Sequence, residues 1–127
     1  GEIFLSGNET RRQTGARYEN LAAEYLESRG LVILERNYRC RQGEIDLIAR
    51  DGEFLVFVEV KYRQGKEKGT SLEAVDRRKQ RQICRAARYY LACSVGSMDV
   101  SCRFDVVGID GKEEKISWIK NAFDFCL

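Results

Sequence analysis

No histidine occurs in the 127 residues. That absence removes Ser-His and Cys-His nucleophilic systems, His-based acid/base pairs and His-ligated zinc or iron. Any catalysis then rests on carboxylates, lysine, tyrosine, a thiolate, or a hard metal that takes oxygen ligands. A C-x-x-C pair is also missing: the five cysteines (Cys40, Cys84, Cys93, Cys102, Cys126) are odd in number and widely spaced. This argues against a zinc site or a complete disulfide framework. It favours a reducing cytoplasm, with the cysteines serving as small buried hydrophobes. No apolar run approaches the roughly 18 residues of a membrane span. The opening stretch, GEIFLSGNETRRQTG, lacks the apolar core and cleavage site of a signal peptide.

What is present is ordinary for a soluble globular chain: 43% hydrophobic residues, 33% charged, and a net charge of only +2. An electrostatic case for a nucleic-acid partner must therefore come from local charge distribution. The length suits one domain, able to bury roughly two-thirds of its unfolded surface. We expect residues 1–14 to form an N-terminal tail and 15–127 a single domain. Gln13 to Gly30 reads as an amphipathic helix with Tyr18, Leu21, Ala22, Tyr25 and Leu26 in one stripe, Thr14 as cap and Gly30 as stop. Leu31 to Arg39 reads as a strand, followed by a hairpin over Gly43 to Arg63. Arg63 to Thr70 is a charged, Gly-punctuated loop, and Thr70-Ser71-Leu72-Glu73 has capping-box spacing. A second helix runs from there, or from Asp76 as its cap, to about Ala92. Arg103 to Ile109 and Lys115 to Ile119 read as strands joined through Asp110-Gly111. The order α-β-β-β-α-β-β describes an α+β or mixed α/β domain around one sheet.

The hairpin, GEIDLIARDGEFLVFVEVKYR, holds charges in a segment built for burial. Phe54-Leu55-Val56-Phe57-Val58 is apolar on both faces, as in a central strand of a covered sheet. Yet the first strand carries Asp46 and the second ends Glu59-Val60-Lys61. If Asp51-Gly52 is a two-residue loop, Arg50 faces Glu53 and Asp46 faces Phe57. Asp46, Phe57, Glu59 and Lys61 then share a face, with the two acids diagonal neighbours about 7–8 Å apart at Cα. Two carboxylates with a lysine suit Mg²⁺, which is typically held by one or two carboxylates and keeps positions for water and phosphate oxygens. Lys61 would orient the attacking water or neutralise developing charge. An ion-pair cluster at a strand end, with Lys61 satisfying both acids, accounts for the same residues, and the hairpin alone leaves the two readings open. Glu19, at the edge of the first helix's apolar stripe, is either a third acid reaching the metal directly or through water, or an ordinary boundary residue.

GEIDLI, a short hairpin and FVEVK, preceded by GARYENLAAEYL and ERNYR, together resemble the YraN-like family of bacterial proteins. That family belongs with the PD-(D/E)xK, restriction-endonuclease-like nucleases, near archaeal Holliday-junction resolvases. The resemblance runs from Gly15 to Phe123 and is strengthened by Lys79 and Phe104-Asp105. It implies an αβββαβ core with a mixed central sheet flanked by helices. It also implies a nuclease-like domain that uses Mg²⁺, with Mn²⁺ substituting, to cleave DNA in repair or recombination. By the same resemblance Asp46 and Glu59 are the metal carboxylates and the Val60 carbonyl a further ligand. Lys61 is then the catalytic lysine and Glu19 the helix-borne acid. Two positions depart from the pattern: Ile45 stands where a proline precedes the first acid, and Tyr62 where Thr is frequent.

The second helix adds a basic surface. From Arg77 to Arg88 it holds six cations and no acid. Arg77, Arg81, Arg85 and Arg88 fall in one stripe of roughly 80°, opposite Val75, Ile83, Ala86 and Tyr90. Lys79 falls within the apolar face, pointing toward the sheet or pairing with Asp76. With Arg63, these cations are the expected nucleic-acid contacts. Asp105 is open between a secondary metal ligand and a salt-bridge partner for a core arginine. The leading reading is a Mg²⁺-dependent endonuclease on DNA, branched or otherwise structured, working as a homodimer because symmetric cutting of a four-way junction needs two sites. The alternatives are a non-catalytic nucleic-acid-binding module of the same fold and an interaction protein with a structural ion cluster.

Overall fold

The computed structural model describes residues 10–63, 75–111 and 115–126. In chain order it contains α1 (Arg11–Ser28), β1 (Val32–Cys40), β2 (Gly43–Asp51), β3 (Phe54–Arg63), α2 (Arg77–Tyr90), a π-helical turn (Leu91–Val95), β4 (Cys102–Asp110) and β5 (Lys115–Phe123). The five strands form one mixed sheet in the order β1-β2-β3-β4-β5. Only β3 and β4 are parallel, and α2 lies in the crossover between them, as parallel neighbours require. The expected fold class and element order are both present.

Each helix covers one face of the sheet. On one side Tyr18, Ala22, Ala23 and Leu26 of α1 pack on Leu47, Ala49, Val56, Val58, Val60, Val107 and Ile109. On the other, Ile83, Cys84, Ala86, Ala87 and Tyr90 of α2 pack on Ile45, Ile48, Leu55, Phe57 and Phe104. Odd and even positions of β3 therefore serve different cores, which is why Leu55 to Val58 is apolar without alternation. At the β1–β2 turn, a Cβ on Gly43 would lie 2.6 Å from Gln82 Cγ, so this glycine permits the close seating of α2.

Three local expectations are corrected. Helix α1 starts at Arg11 and is capped by Thr10, not Thr14: Thr10 Oγ1 accepts from Gln13 N (3.1 Å), and the Gln13 side chain accepts from Thr10 N (2.9 Å). Reciprocal capping satisfies two orphan N–H groups at once, which Thr14 could not do. In the hairpin, Asp51 pairs with Phe54, Arg50 with Leu55 and Ile48 with Phe57. The loop is Gly52-Glu53, with Gly52 at φ +60° and Glu53 outside the positive region, the pattern of a type II′ turn. Asp51 stays in the strand because Arg103 Nη2 on β4 donates to its carboxylate at 2.9 Å. Among the cysteines only Cys84 is buried; Cys40, Cys102 and Cys126 are part-buried and Cys93 is exposed. Helix α2 begins after Asp76, which accepts from Lys79 N at 2.8 Å. The capping-box stretch Thr70–Glu73 and most of the charged loop lie outside the described residues.

Candidate functional site

Advancing the turn by one residue on each strand preserves parity, so the acids still share a face. The β2–β3 ladder ends with Leu47 paired to Val58, and Asp46 and Glu59 are the next residues on each strand. Continuing that register by one step sets them opposite one another instead of diagonal. Beyond them the strands part: β2 continues with β1 to Gly43, while β3 continues with β4 to Arg63. Parting leaves main-chain donors without ladder partners. Asp46 Oδ2 takes up one of them, accepting from Val60 N at 2.8 Å. On the β1 side, Asn37 sits in the gap between the pairs Arg36–Leu47 and Tyr38–Ile45, at φ +53°.

A pocket of about 220 Å³ opens at the parting, lined by Gly15, Glu19, Asp46, Glu59, Val60, Lys61 and Tyr62. All four residues expected to do chemistry, and Val60, are brought together here. Glu59 is only 6% exposed, and Lys79 of α2 reaches across to it (Nζ to Oε2, 3.9 Å). Lys79 therefore turns into the site and pairs with Glu59, while its main chain, not its side chain, engages Asp76. Lys61 is half-buried on the pocket wall.

Charge is poorly balanced in this recess. Burial first, and then the neighbouring Asp46 charge, push the Glu59 carboxyl up to about 8, with Lys79 and Lys61 pulling the other way. Burial, Asp46 and Glu44 push Glu19 up to about 7. Asp46 is also raised by burial, an effect opposed by the Val60 N–H and by a hydrogen bond with Glu59. Glu19 and Glu59 both hydrogen-bond to Asp46. Asp46 is thus the hub on which the other two acids hold their protons. Among the described residues no group of three or more cysteine, aspartate or glutamate side chains is arranged to hold a metal ion together. The donor set on offer is two facing carboxylates beside a main-chain carbonyl. Oxygen-only donors whose repulsion Lys79 and Lys61 offset only in part fit a hard divalent cation, which one or two carboxylates suffice to anchor.

Asp105 has a different role. It is fully buried and accepts from Arg103 Nε (2.9 Å), Arg103 Nη2 (3.0 Å), Trp118 Nε1 (2.9 Å) and Asn121 N (2.9 Å). Four donors occupy its lone pairs, so it is the salt-bridge partner of a core arginine, tying β4 to the β5 bulge at Asn121. Arg77, Arg81, Arg85 and Arg88 all lie exposed along α2, and Ile83, Ala86 and Tyr90 face the sheet. Arg63 closes β3, paired with Asp110 two residues beyond Lys61; its carbonyl accepts from Gly111 N at 2.7 Å.

Two lining residues were not legible as such. Tyr62 stacks on Tyr18 of α1 (centroids 4.5 Å apart, planes at 22°), so the departure after E-V-K supplies a wall joining α1 to β3. A Cβ on Gly111 would collide with the Tyr18 hydroxyl, which locks that wall against the β4–β5 turn. Gly15 lies one helical turn before Glu19, and a Cβ there would meet, among the described residues, no atom within 4 Å beyond its own helix backbone and chain neighbours. Its position four residues before the acid was the only available signal.

The uncharacterised protein family UPF0102 matches residues 18–109, a span containing every residue of the acidic pocket except Gly15. A UPF0102 protein of Lachnoclostridium phytofermentans is 52% identical over 110 residues, covering 87% of this chain and 92% of that one. One from Nitrosococcus oceani is 44% identical over 116 residues (90% and 94%), and one from Legionella pneumophila 43% over 113 residues (89% and 96%). A family match over most of the chain and these near full-length relatives agree: the chain belongs to UPF0102, the YraN-like family.

Proposed function

We propose that this protein is a Mg²⁺-dependent phosphodiesterase that cleaves DNA, with branched or otherwise structured DNA as its substrate class. The observation that carries the reading is the facing of Asp46 and Glu59 where β2 and β3 part, with Lys61 beside them in the same pocket. Pure binding of a polyanion gains nothing from clustered acids, which repel the backbone.

Asp46, Glu59 and the Val60 carbonyl would hold Mg²⁺, or Mn²⁺ in its place. When bound, such an ion polarises the phosphodiester and neutralises developing charge. The chain's own groups do the rest. Val60 N–H fixes one Asp46 oxygen and so orients the carboxylate. Lys61 presents an ammonium to the attacking water and to the negative charge that develops on the phosphoryl oxygens. Lys79 offsets the charge of Glu59. Glu19, held near the midpoint of its titration at neutral pH, can take up or return a proton at its carboxyl oxygen. The arginine stripe on α2 supplies phosphate contacts.

The direct test is cleavage of four-way junctions, flaps, duplexes and single strands, each with Mg²⁺, with Mn²⁺ and with chelator. Metal-dependent cutting of at least one structured DNA is expected; no cutting of any member leaves a binding module. Symmetric cutting of a junction requires two sites related by a two-fold axis, so a homodimer belongs to the junction-resolving form of this proposal. Sedimentation that shows only monomers, with and without branched DNA, would remove that form and leave a nicking nuclease.

A further inference from the structure

A second recess, of different chemistry, lies at the far end of α2. It measures about 410 Å³ and is lined by Gln42, Arg85, Arg88, Tyr89, Ala92 and Met98. Tyr89 and Met98 are 43% and 51% exposed, an aromatic ring and a thioether left open beside two guanidinium groups. Helix α2 widens here into the π-helical turn Leu91–Val95, ended by Gly96 at φ +82°. Such turns are frequent at functional sites. The turn carries Cys93, which is exposed. The exposed ring of Tyr89 is stacked on no other aromatic side chain among the described residues, so its face is open to a ligand.

A flat aromatic face with a polarizable sulfur accepts a nucleobase, and planar cations beside it accept phosphate. Bases stacked inside a duplex present edges, not faces. Only an unpaired nucleotide can lay its face on Tyr89. Two independent paths place this recess relative to the acidic pocket. Along α2, Arg88 lies nine residues beyond Lys79, about 14 Å at 1.5 Å per residue. Along β2, Gly43, which Gln42 adjoins in the turn, lies three residues before Asp46, about 10 Å at roughly 3.3 Å per residue. These spans correspond to about three to four nucleotides of one strand at the 3.4 Å spacing of stacked DNA, and Arg81 and Arg85 occupy the helix surface between.

We propose that the Tyr89–Met98 recess binds an unpaired nucleotide of the strand held along α2, its base against Tyr89 and Met98 and its phosphate between Arg85 and Arg88. The substrate class is thereby narrowed to DNA with a single-stranded segment about three to four nucleotides from the acidic pocket. The distance to the cut rests on the proposed nuclease reading; the binding itself does not.

The test is the affinity of a 20-nucleotide single-stranded DNA and its matched duplex, at one salt concentration, for wild type, Tyr89→Ala and Tyr89→Phe. Both substitutions lie at an exposed position, and thermal melting checks their folding. Tyr89→Ala should lose about ten-fold in single-strand affinity and leave duplex affinity unchanged, while Tyr89→Phe retains wild-type single-strand binding. A 2-aminopurine placed along the strand should show quenched emission on binding in the wild type and not in Tyr89→Ala. Unchanged single-strand affinity in Tyr89→Ala, an equal loss on duplex, or no single-strand binding by the wild type would each overturn the inference. If Tyr89 has no effect while the wild type cuts DNA, the recess falls and the nuclease stands. If single strands bind through Tyr89 and nothing is cut, the recess stands and the nuclease falls.

Discussion

Glu59 and Asp46 lie one step beyond the end of the β2–β3 ladder, opposite one another, and burial together with the Asp46 charge pushes the Glu59 carboxyl up to about 8. A pair in this condition is an unfinished site electrostatically. Neither a solvated strand end nor a well-satisfied ion pair would keep a carboxyl protonated at neutral pH.

Stability of the metal-free protein should therefore fall as pH rises. The folded-state values of Glu59 and Glu19 are raised from 4.5 to about 8 and about 7. The folded protein then binds more protons than the unfolded chain between those limits. The contribution is complete below about pH 4.5 and is lost as pH rises through 7 to 8. Melting in chelator should show a drop of several degrees between pH 5.5 and 8.5. Glu59→Gln should flatten that slope, Mg²⁺ should restore stability at pH 8.5, and Mg²⁺ binding near pH 7 should release protons. A melting temperature that rises over this interval would contradict the electrostatic account.

Asp105 should behave as a structural residue. Asp105→Asn leaves the part-buried Arg103 with Asp51 as its only anionic partner among the described residues. Breaking one side of such a buried pair costs about 3–5 kcal/mol, a fall of more than about 10 °C in melting temperature for a chain of this size. Divalent-metal affinity of the folded fraction should not change. A variant of normal stability that had lost metal binding would make Asp105 a ligand.

The arginine stripe should contribute affinity without sequence preference. Arg81 and Arg85 are exposed on α2, so Arg81→Ala with Arg85→Ala should leave melting within about 1 °C of wild type. The slope of log K against log salt should fall by about two, one for each phosphate that no longer has an arginine beside it. An unchanged slope would assign the stripe to solvent or to a protein partner.

The double-faced apolar run of β3 was legible because a strand covered on both sides must be apolar at successive positions. Asp76 as a cap was legible because the cap is local. The common face of Asp46 and Glu59 survived a wrong turn assignment, since moving the loop one residue along each strand leaves parity intact. The register itself could not be read: Asp51 is kept in β2 by Arg103, 52 residues away. The Tyr18–Tyr62 wall and the reach of Lys79 to Glu59 likewise depend on how α1 and α2 seat on the sheet. The parting of β2 from β3, which creates the pocket, belongs to the assembled sheet. No pattern within either strand announces it.

The most direct measurement pairs cleavage with binding for Asp46→Asn, with Lys61→Ala as its counterpart. Asp46→Asn keeps the side-chain shape and removes a charged ligand. Cleavage in Mg²⁺ or Mn²⁺ should fall by orders of magnitude. Metal-free DNA affinity should stay equal or rise, by up to about 1 kcal/mol for one screened acid. Lys61→Ala should also lose cleavage, with affinity level or weakened, because a cation has been removed. Folded Asp46→Asn protein that cuts structured DNA like the wild type would contradict the account, and the charges at the parting of β2 and β3 would then be structural.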